Sequence, residues 1–189
     1  DTVAQSGSII SSNLDRAADL VRGFKQVAVD QSSEEKRVFA LGPYLEDVIL
    51  SLRPKLKQLK HNTKVVGDRT TEVESYPGAF SQIATNFIMN SITHAYDDED
   101  EGNMVFEIHL DGREVTVEYT DDGRGIPEEN LTKIFEPFFT TKRGEGGSGL
   151  GMHIVYNLVT QKLGGSIKCE STVGIGTKFT LKLPIANFQ

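Results

Sequence analysis

The sequence of 189 residues contains a single cysteine and has no excess of positive charge. Cys169 cannot form an internal disulfide, and its setting, SIKCES, is typical of a half-buried strand residue, so we expect a reduced compartment. Acidic residues outnumber basic ones by 27 to 20, which gives a net charge of -7. This balance disfavours a general nucleic-acid or anionic-membrane binder, because such proteins gather positive charge.

Long apolar runs are also missing. No stretch approaches the roughly 20 apolar residues that cross a bilayer, and no basic segment followed by an apolar one opens the chain. We therefore expect a soluble, cytoplasmic fragment that does not itself contact a membrane. The length suits one domain with a real core plus an appendage, and a first residue of Asp1 rather than Met suggests a piece of a longer protein.

The first 31 residues are predicted to form a helical stub. Apolar residues alternate there at intervals of four and three, at Ile10, Leu14, Ala17, Val21, Phe24 and Ala28. This spacing is typical of a coiled-coil or bundle seam, so the helix is expected to pair with another helix or with another copy of the chain. Packing on its own domain is the alternative. The polar break DQSSEEKR (30–37) separates the stub from a second unit, residues 32–189.

The second unit has the pattern of an α/β domain. Strands are predicted at 38–41, 63–67, 103–110, 114–120, 166–170 and 177–184. Helices are predicted at 44–52, from about 79 to 96 and from about 148 to 163. Asp111-Gly112 is a hairpin turn signal, and residues 121–147 are rich in loops.

The helix from 79 to 96 carries two asparagines four residues apart, Asn86 and Asn90. Its core-facing side is predicted to consist of Phe80, Ile83, Ala84, Phe87, Ser91 and Ala95. Asn86 and Asn90 lie on one line along the helix, and this line borders the core-facing side. The amides are therefore expected at the edge of a cleft. An amide oxygen is a neutral, hard ligand that suits Mg²⁺, which proteins usually hold through few groups together with substrate phosphates. Two surface asparagines are the structural alternative.

A second motif, TDDGRGIP (120–127), directly follows a predicted strand. The carboxylate of Asp121 can accept from an exocyclic amine, and Gly123 and Gly125 lack the side chains that would block a planar ring. This combination suits an adenine, although the motif by itself is also an ordinary tight turn.

A third motif, GEGGSGLGMHIV (144–155), is a glycine-rich run that leads into a helix. Backbone amides at a helix start favour an anion, and a di- or triphosphate is the expected guest. The run follows no strand and lacks the Lys-Ser/Thr ending of a P-loop, so neither the Rossmann nor the Walker pattern fits.

Between the second and third motifs, IFEPFFTTKR (134–143) has the character of a lid, with aromatic residues to fold over a ligand. Lys142 and Arg143 can meet terminal phosphate charge. Near the end of the chain, Thr177 can add a hydroxyl close to Asp121.

In this order the motifs resemble the N, G1, F and G2 boxes of the histidine-kinase ATP-binding domain, in the superfamily of the gyrase, mismatch-repair and heat-shock chaperone ATPases. The resemblance covers residues 38 to about 186. It implies the Bergerat ATP-binding fold, an α/β (α+β) two-layer sandwich with a mixed, mostly antiparallel sheet covered on one face by helices. ATP would lie between the helices and a lid at about 126–147.

The resemblance also implies site residues and cofactors. With ATP and Mg²⁺ as cofactors, Asn90 would be the metal ligand and Asn86 its neighbour on the phosphates, while His94 would lie by the adenine and Asp121 would accept from the adenine amino group. The full set of implied ATP-binding residues is Asn86, Asn90, His94, Asp121, Gly123, Gly125, Ile126, Lys142, Gly147, Ser148, Gly149, Leu150, Gly151 and Thr177.

Two positions depart from the family pattern. The family usually has Asn after the aspartate of the second motif, where this chain has Asp122. Many members have Lys or Arg three residues beyond the second asparagine, where this chain has Thr93. Lys142 is therefore expected to supply more of the phosphate-facing charge.

The function implied is that of an ATP-dependent protein-histidine kinase. The stub resembles the second helix of the dimerisation and phosphoacceptor hairpin, so a homodimer through this helix is expected. The acceptor histidine would lie upstream of residue 1, since the four histidines of the chain, His61, His94, His109 and His153, all lie beyond the stub. A response-regulator aspartate would receive the phosphoryl group, and the parent would be a sensor kinase of the inner membrane.

Three alternatives remain open. A hydrolysing ATPase of the gyrase or chaperone type has Glu four residues before the magnesium-binding Asn, as base for water, and Asn86 stands there instead. A serine kinase of the anti-sigma-factor type fits poorly with the heptad stub. A nucleotide-binding regulatory module without transfer activity is the alternative from a different class, and Asp122 and Thr93 leave it open.

Overall fold

The computed structural model describes residues 35–56, 60–97, 100–141 and 149–185. The predicted stub 1–31 lies outside the described residues, and so do Lys142, Arg143, Gly147 and Ser148, so the predictions on them stay predictions. Within the described ranges, no helix combines the length and the apolar character that crossing a bilayer requires.

The elements follow one another in an α/β order. The strands are β1 (Arg37–Ala40), β2 (Lys60–Gly67), β3 (Glu72–Ser75), β4 (Glu101–Asp111), β5 (Glu114–Asp121), β6 (Ser166–Thr172) and β7 (Gly176–Pro184). The helices are α1 (Leu41–Ser51), α2 (Arg53–Leu56), α3 (Pro77–Asn90), α4 (Glu128–Leu131) and α5 (Gly151–Asn157). α3 continues in a π-helical segment, Ser91–Ala95, and α5 in another, Leu158–Lys162.

Five strands form one sheet in the order β2-β4-β5-β7-β6. β2 and β4 are parallel and the other neighbours are antiparallel, so the predicted mixed, mostly antiparallel sheet is confirmed. β1 and β3 form a separate antiparallel pair, with Arg37 opposite Ser75. The sequence prediction missed β3, a strand of four residues.

Two of the predicted helices, α1 and α3, begin earlier than expected. α1 starts at Leu41, which had been assigned to a strand, and its first amides donate to loop carbonyls, Leu41 to Thr71 at 2.9 Å and Gly42 to Arg69 at 3.0 Å. α3 starts at Pro77 rather than near residue 79. Proline is well accommodated at the first helical position, because its missing N–H would have no partner within the helix there.

The core lies between the helices and one face of the sheet. Phe87 of α3 stacks on Tyr119 of β5 at a centroid distance of 5.0 Å and on Phe179 of β7 at 4.7 Å. Side chains of β5 alternate between buried and more accessible, so Val117 and Tyr119 face the helices while Glu118 lies on the outer face and pairs with Lys178 at 2.6 Å. The contacts of Phe87 fix α3 over the central strands, and α3 carries the asparagines.

Candidate nucleotide-binding site

Asn86 and Asn90 face the start of α5. A Cβ atom built on Gly151 would stand 3.0 Å from Oδ1 of Asn86 and 3.6 Å from Oδ1 of Asn90. The Nδ2 group of Asn86 donates to the carbonyl of Gln82 at 2.9 Å, which directs its oxygen away from its own helix backbone. The fold therefore brings the first and third sequence motifs together, with two amide oxygens beside the first residue of a helix.

Asp121, the last residue of β5, is a buried carboxylate that is only 4% exposed. It accepts hydrogen bonds from the Ser91 hydroxyl at 2.7 Å, from the Gly123 amide at 3.1 Å and from the Thr177 amide at 3.3 Å. Burial nevertheless raises the pKa of this carboxyl above its ordinary value. The carboxylate is thus firmly oriented but poorly solvated. A ligand that donates a hydrogen bond to it would offset part of the free-energy cost of burying its charge.

Ser91 has a role that the sequence prediction missed, since it was assigned only to the core-facing side of the helix. It is 3% exposed, donates to Asp121 and accepts from the Tyr119 hydroxyl at 2.8 Å. The available signal was its position, because a hydroxyl on the buried face of a helix must find a partner. It directly follows Asn90, so one helix presents the amides and also fixes the acidic group.

Thr177 lies next to Asp121 across the β5–β7 pair. Its backbone amide is the group that contacts the carboxylate, whereas its hydroxyl lies 3.0 Å from the hydroxyl of Ser171. The expected hydroxyl contribution is thus directed toward β6.

The glycines of the second motif lie close to other parts of the protein backbone. A Cβ on Gly123 would stand 2.4 Å from Cβ of Ala95. Gly125 has a φ of +72°, and a Cβ there would stand 2.3 Å from the carbonyl oxygen of Thr172. Both glycines therefore let the turn pack tightly between the end of the asparagine helix and the β6–β7 turn. The predicted clearance for an adenine beside these glycines stays a prediction.

Most of the predicted lid aromatics pack inward. Phe135 lies 5.6 Å from Tyr156 and 6.5 Å from Phe179, and Phe139 packs against the core. Phe138 alone of these three phenylalanines is strongly exposed, at 62%, and it adopts a left-handed φ of 67°. Gly149 accommodates it, since a Cβ on Gly149 would stand 2.5 Å from the carbonyl carbon of Phe138.

The four histidines each have a neighbour within the fold. His94 lies 3.3 Å from the hydroxyl of Thr141, at the far end of the lid segment. The ring of His61 contacts the ring of Tyr96 in a tilted arrangement, and His109 pairs with Glu107. Nδ1 of His153 lies 3.1 Å from the carbonyl of Phe135, and its Nε2 lies 3.1 Å from the amide of Asn157. His94 is the one that links the asparagine helix to the lid.

Strands β4, β5 and β6 carry two further groups of side chains that could act as nucleophiles or metal ligands. Cys169 is partly buried on β6, and burial raises the pKa of its thiol to about 12, which keeps it protonated. Glu107, His109 and Glu118 have ligand atoms within 4.8 Å of one another, the one such group of His, Cys, Asp and Glu side chains among the described residues. They lie on the outer face of the sheet, where Lys178 already pairs with Glu118.

The chain matches the family described as histidine kinase-, DNA gyrase B- and HSP90-like ATPase over residues 76–187. It is 31% identical over 180 residues to the sensor protein TorS of Escherichia coli K12, which covers 94% of this chain and 18% of TorS. A second relative, the sensor kinase CckA of Brucella abortus, is 35% identical over 93% of this chain and 20% of its own length. The chain thus spans about a fifth of the length of these curated relatives.

Solved structures show the same architecture. The catalytic domain of the histidine kinase ThkA superimposes with a TM-score of 0.70 at 28% identity, over 80% of this chain and 96% of that one. ThkA in complex with the response regulator protein TrrA shares the fold at a TM-score of 0.66 and 24% identity, over 98% of this chain and 52% of that one. The chain belongs to the histidine kinase-, DNA gyrase B- and HSP90-like ATPase family and carries the ATP-binding catalytic domain of the sensor histidine kinases.

Proposed function

We propose that this chain binds Mg·ATP between α3 and the start of α5 and supplies the γ-phosphate for transfer to a histidine of the parent protein. The observation that carries the proposal is the convergence of two amide oxygens, from Asn86 and Asn90, on Gly151, with a buried carboxylate held by the very next helical residue, Ser91. The two amide oxygens would face the phosphate end of one ATP molecule, and the buried carboxylate would face its adenine end.

The adenine end would be read by Asp121. Its carboxylate is buried and already oriented by three donors, which leaves acceptor capacity for one more hydrogen bond, from an exocyclic amine. His94 and Ile126 would flank the ring, with Gly123, Gly125 and Thr177 shaping the walls. The phosphate end would be bounded by Gly149, Leu150 and Gly151, together with Lys142, Gly147 and Ser148 from outside the described residues.

The residues present fit a magnesium ion. The amide oxygens of Asn86 and Asn90 are neutral, hard donors beside a helix start, and Mg²⁺ is commonly held by few protein groups together with phosphates and water. Asn90 would be the protein ligand and Asn86 would contact the phosphates. When bound, the ion would neutralise charge on the phosphates.

Transfer to a histidine is favoured over hydrolysis by the chemistry of Asn86. A neutral imidazole nitrogen would attack the γ-phosphorus as the bond to the β-phosphate oxygen breaks, and the imidazole would then release its proton to solvent. Such a nucleophile needs no strong base, whereas attack by water does, and an amide cannot take a proton. Catalysis would rest on positioning and charge neutralisation.

The proposed partners are a second copy of the parent and a response regulator. The stub 1–31 would pair two copies of the parent, and a response-regulator aspartate would receive the phosphoryl group, as expected for a chain similar to a kinase solved with TrrA. We place the parent among the sensor kinases, with this domain on the cytoplasmic side of an inner membrane.

Calorimetric titration with Mg·ADP tests the site assignment. Asp121→Asn should weaken binding by roughly 1–3 kcal/mol, because the adenine amino group would lose its carboxylate acceptor. The domain should stay folded. Asp111→Asn, at the opposite end of the β4–β5 hairpin, serves as the matched control. Equal affinities for the wild-type chain and Asp121→Asn would refute the assignment, and steady release of phosphate from ATP by the chain alone would instead favour the hydrolase.

A further inference from the structure

We propose that Tyr96, Asn103 and Asp122 form a positioning clamp that sets the orientation of Asp121 and thereby the preference of the site for a 6-aminopurine. The proposal rests on the proposed function and adds residues to it. None of the three would touch the nucleotide, and each would act through the turn that carries Asp121.

Asp122 is tied to β4 through both carboxylate oxygens. Oδ1 accepts from the Asn103 backbone amide at 2.8 Å, and Oδ2 accepts from the Asn103 side-chain amide at 2.8 Å. In return the Asp122 amide donates to the Asn103 carbonyl at 3.3 Å. Three hydrogen bonds thus join one pair of residues just where β5 ends and the turn begins.

Tyr96 adds a tie to the end of the asparagine helix. Its hydroxyl lies 2.9 Å from Oδ1 of Asp122 and 3.1 Å from the Asn103 carbonyl. Tyr96 is 5% exposed, and its ring packs at a tilt against His61 with a centroid distance of 4.5 Å. Gly102 provides the space, because a Cβ there would stand 2.5 Å from Cζ of Tyr96. The hydroxyl is therefore held in place by packing as well as by its partners.

Arg124, in the same turn, adds two further contacts with the end of the helix that carries the asparagines. The Arg124 amide donates to the Ala95 carbonyl at 2.9 Å, and the Arg124 side chain pairs with Asp97 at 2.7 Å. Between these ties, the Gly123 amide donates to Asp121. A shift of the turn would move this donor and change the direction in which the buried carboxylate presents its free lone pairs.

The charge on Asp122 suits this role. Partial burial alone would raise the pKa of its carboxyl, but hydrogen bonds from Asn103 and Tyr96 outweigh that effect and hold the pKa below its ordinary value. An asparagine at the same position could keep the Oδ1 contacts, and the Asn103 amide could rotate by half a turn to present its oxygen to the new amide. This arrangement explains how the Asn that the family usually has and the Asp of this chain can serve one purpose.

The test is a reciprocal exchange across the Asp122–Asn103 pair. Asn103→Asp would set two carboxylates against each other, whereas the double variant Asp122→Asn, Asn103→Asp would restore one amide facing one carboxylate. For each variant, dissociation constants are measured for ATP and for purine riboside triphosphate, which lacks the 6-amino group. Thermal unfolding is followed in parallel.

The ratio of the two dissociation constants is the decisive readout. Asn103→Asp should reduce the preference for ATP by about tenfold, which corresponds to about 1.4 kcal/mol, and the double variant should recover most of it. Tyr96→Phe, which keeps the packed ring, should lower the preference in the same direction and serves if Asn103→Asp fails to fold. A purely structural role would weaken both nucleotides equally, and that result would overturn the clamp. Failure of the wild-type chain to bind either nucleotide would overturn the proposed function instead.

Discussion

The Ser91 hydroxyl donates to Asp121 at 2.7 Å and accepts from the Tyr119 hydroxyl, so the three side chains form a buried series of hydrogen bonds. This contact joins the asparagine helix to the end of β5. It couples the stability of the core to the geometry of the site, since the same serine is packed among apolar side chains and orients the carboxylate.

Replacement of Ser91 by alanine should therefore affect both folding and binding. The buried carboxylate would lose one donor and the Tyr119 hydroxyl would lose its acceptor, at a cost of roughly 1–3 kcal/mol in unfolding free energy. Denaturant unfolding and ADP titration measure the two effects. Ser51→Ala is the control, because that hydroxyl donates only to the nearby Val48 carbonyl on α1. Comparable losses of ADP affinity in the two variants would contradict the role of Ser91.

Removal of the Asn90 amide should reduce the effect of magnesium on binding. For the wild-type chain, ATP is expected to bind more tightly with Mg²⁺ than with a chelator present. In Asn90→Ala, the ratio of these two affinities should be about tenfold smaller. Asn62→Ala, on the exposed outer face of β2, should keep it. If magnesium tightens binding equally in Asn90→Ala and in the wild type, Asn90 is not the metal ligand.

A methyl group at position 151 should disturb the phosphate end of the site through Asn86. The new Cβ would stand 3.0 Å from Oδ1 of Asn86, so this amide must shift by a few tenths of an ångström. We expect Gly151→Ala to weaken ATP binding several-fold without lowering the melting temperature, because alanine is the better helix residue. In the background of Asn86→Ala the same change should add little further loss. Fully additive losses would argue against this route.

The raised pKa of Asp121 predicts opposite pH trends for binding and stability. Because the folded-state pKa lies above the unfolded value, ionisation of Asp121 costs stability above the folded pKa, and this cost disappears as the pH falls toward the unfolded value near 3.8. ADP binding should weaken over the same fall in pH, since a protonated carboxyl is a poorer acceptor.

The comparison with Asp121→Asn isolates that effect from other titrating groups. The stability of Asp121→Asn relative to the wild type should increase with rising pH, whatever constant offset the amide introduces. Chemical unfolding at a series of pH values above 3.8 measures the slope. A relative stability that stays level or falls with rising pH would contradict a raised pKa at Asp121.

Much of the fold was predictable from local sequence patterns. The alternation in β4, β5 and β7 and the spacing on α3 identified the sheet and its covering helix, and the family resemblance fixed the architecture. β3 was missed because its partner, β1, lies more than 30 residues earlier, so that only the tertiary pairing reveals the strand. The π-helical ends of α3 and α5 were also not predicted.

The site was predictable in its motifs but not in its hydrogen bonds. The roles of Ser91 and Tyr96 depend on contacts with β4 and β5 that no local pattern encodes. Asp122 was recognised as a departure, and only the structure shows that Asn103 and Tyr96 donate hydrogen bonds to it. For Gly123 and Gly125, the sequence indicated close approach but not whether ligand or protein occupies the space.

The central claim is that this domain transfers a phosphoryl group from ATP to a histidine of its parent. The most direct measurement is to incubate the parent protein, with its upstream helix, with γ-labelled ATP and to examine the labelled residue. We predict a label that is lost in acid and kept in base, located on a histidine upstream of this domain, and strongly reduced in Asp121→Asn and Asn90→Ala. ATP binding without such a label on any histidine would contradict the account.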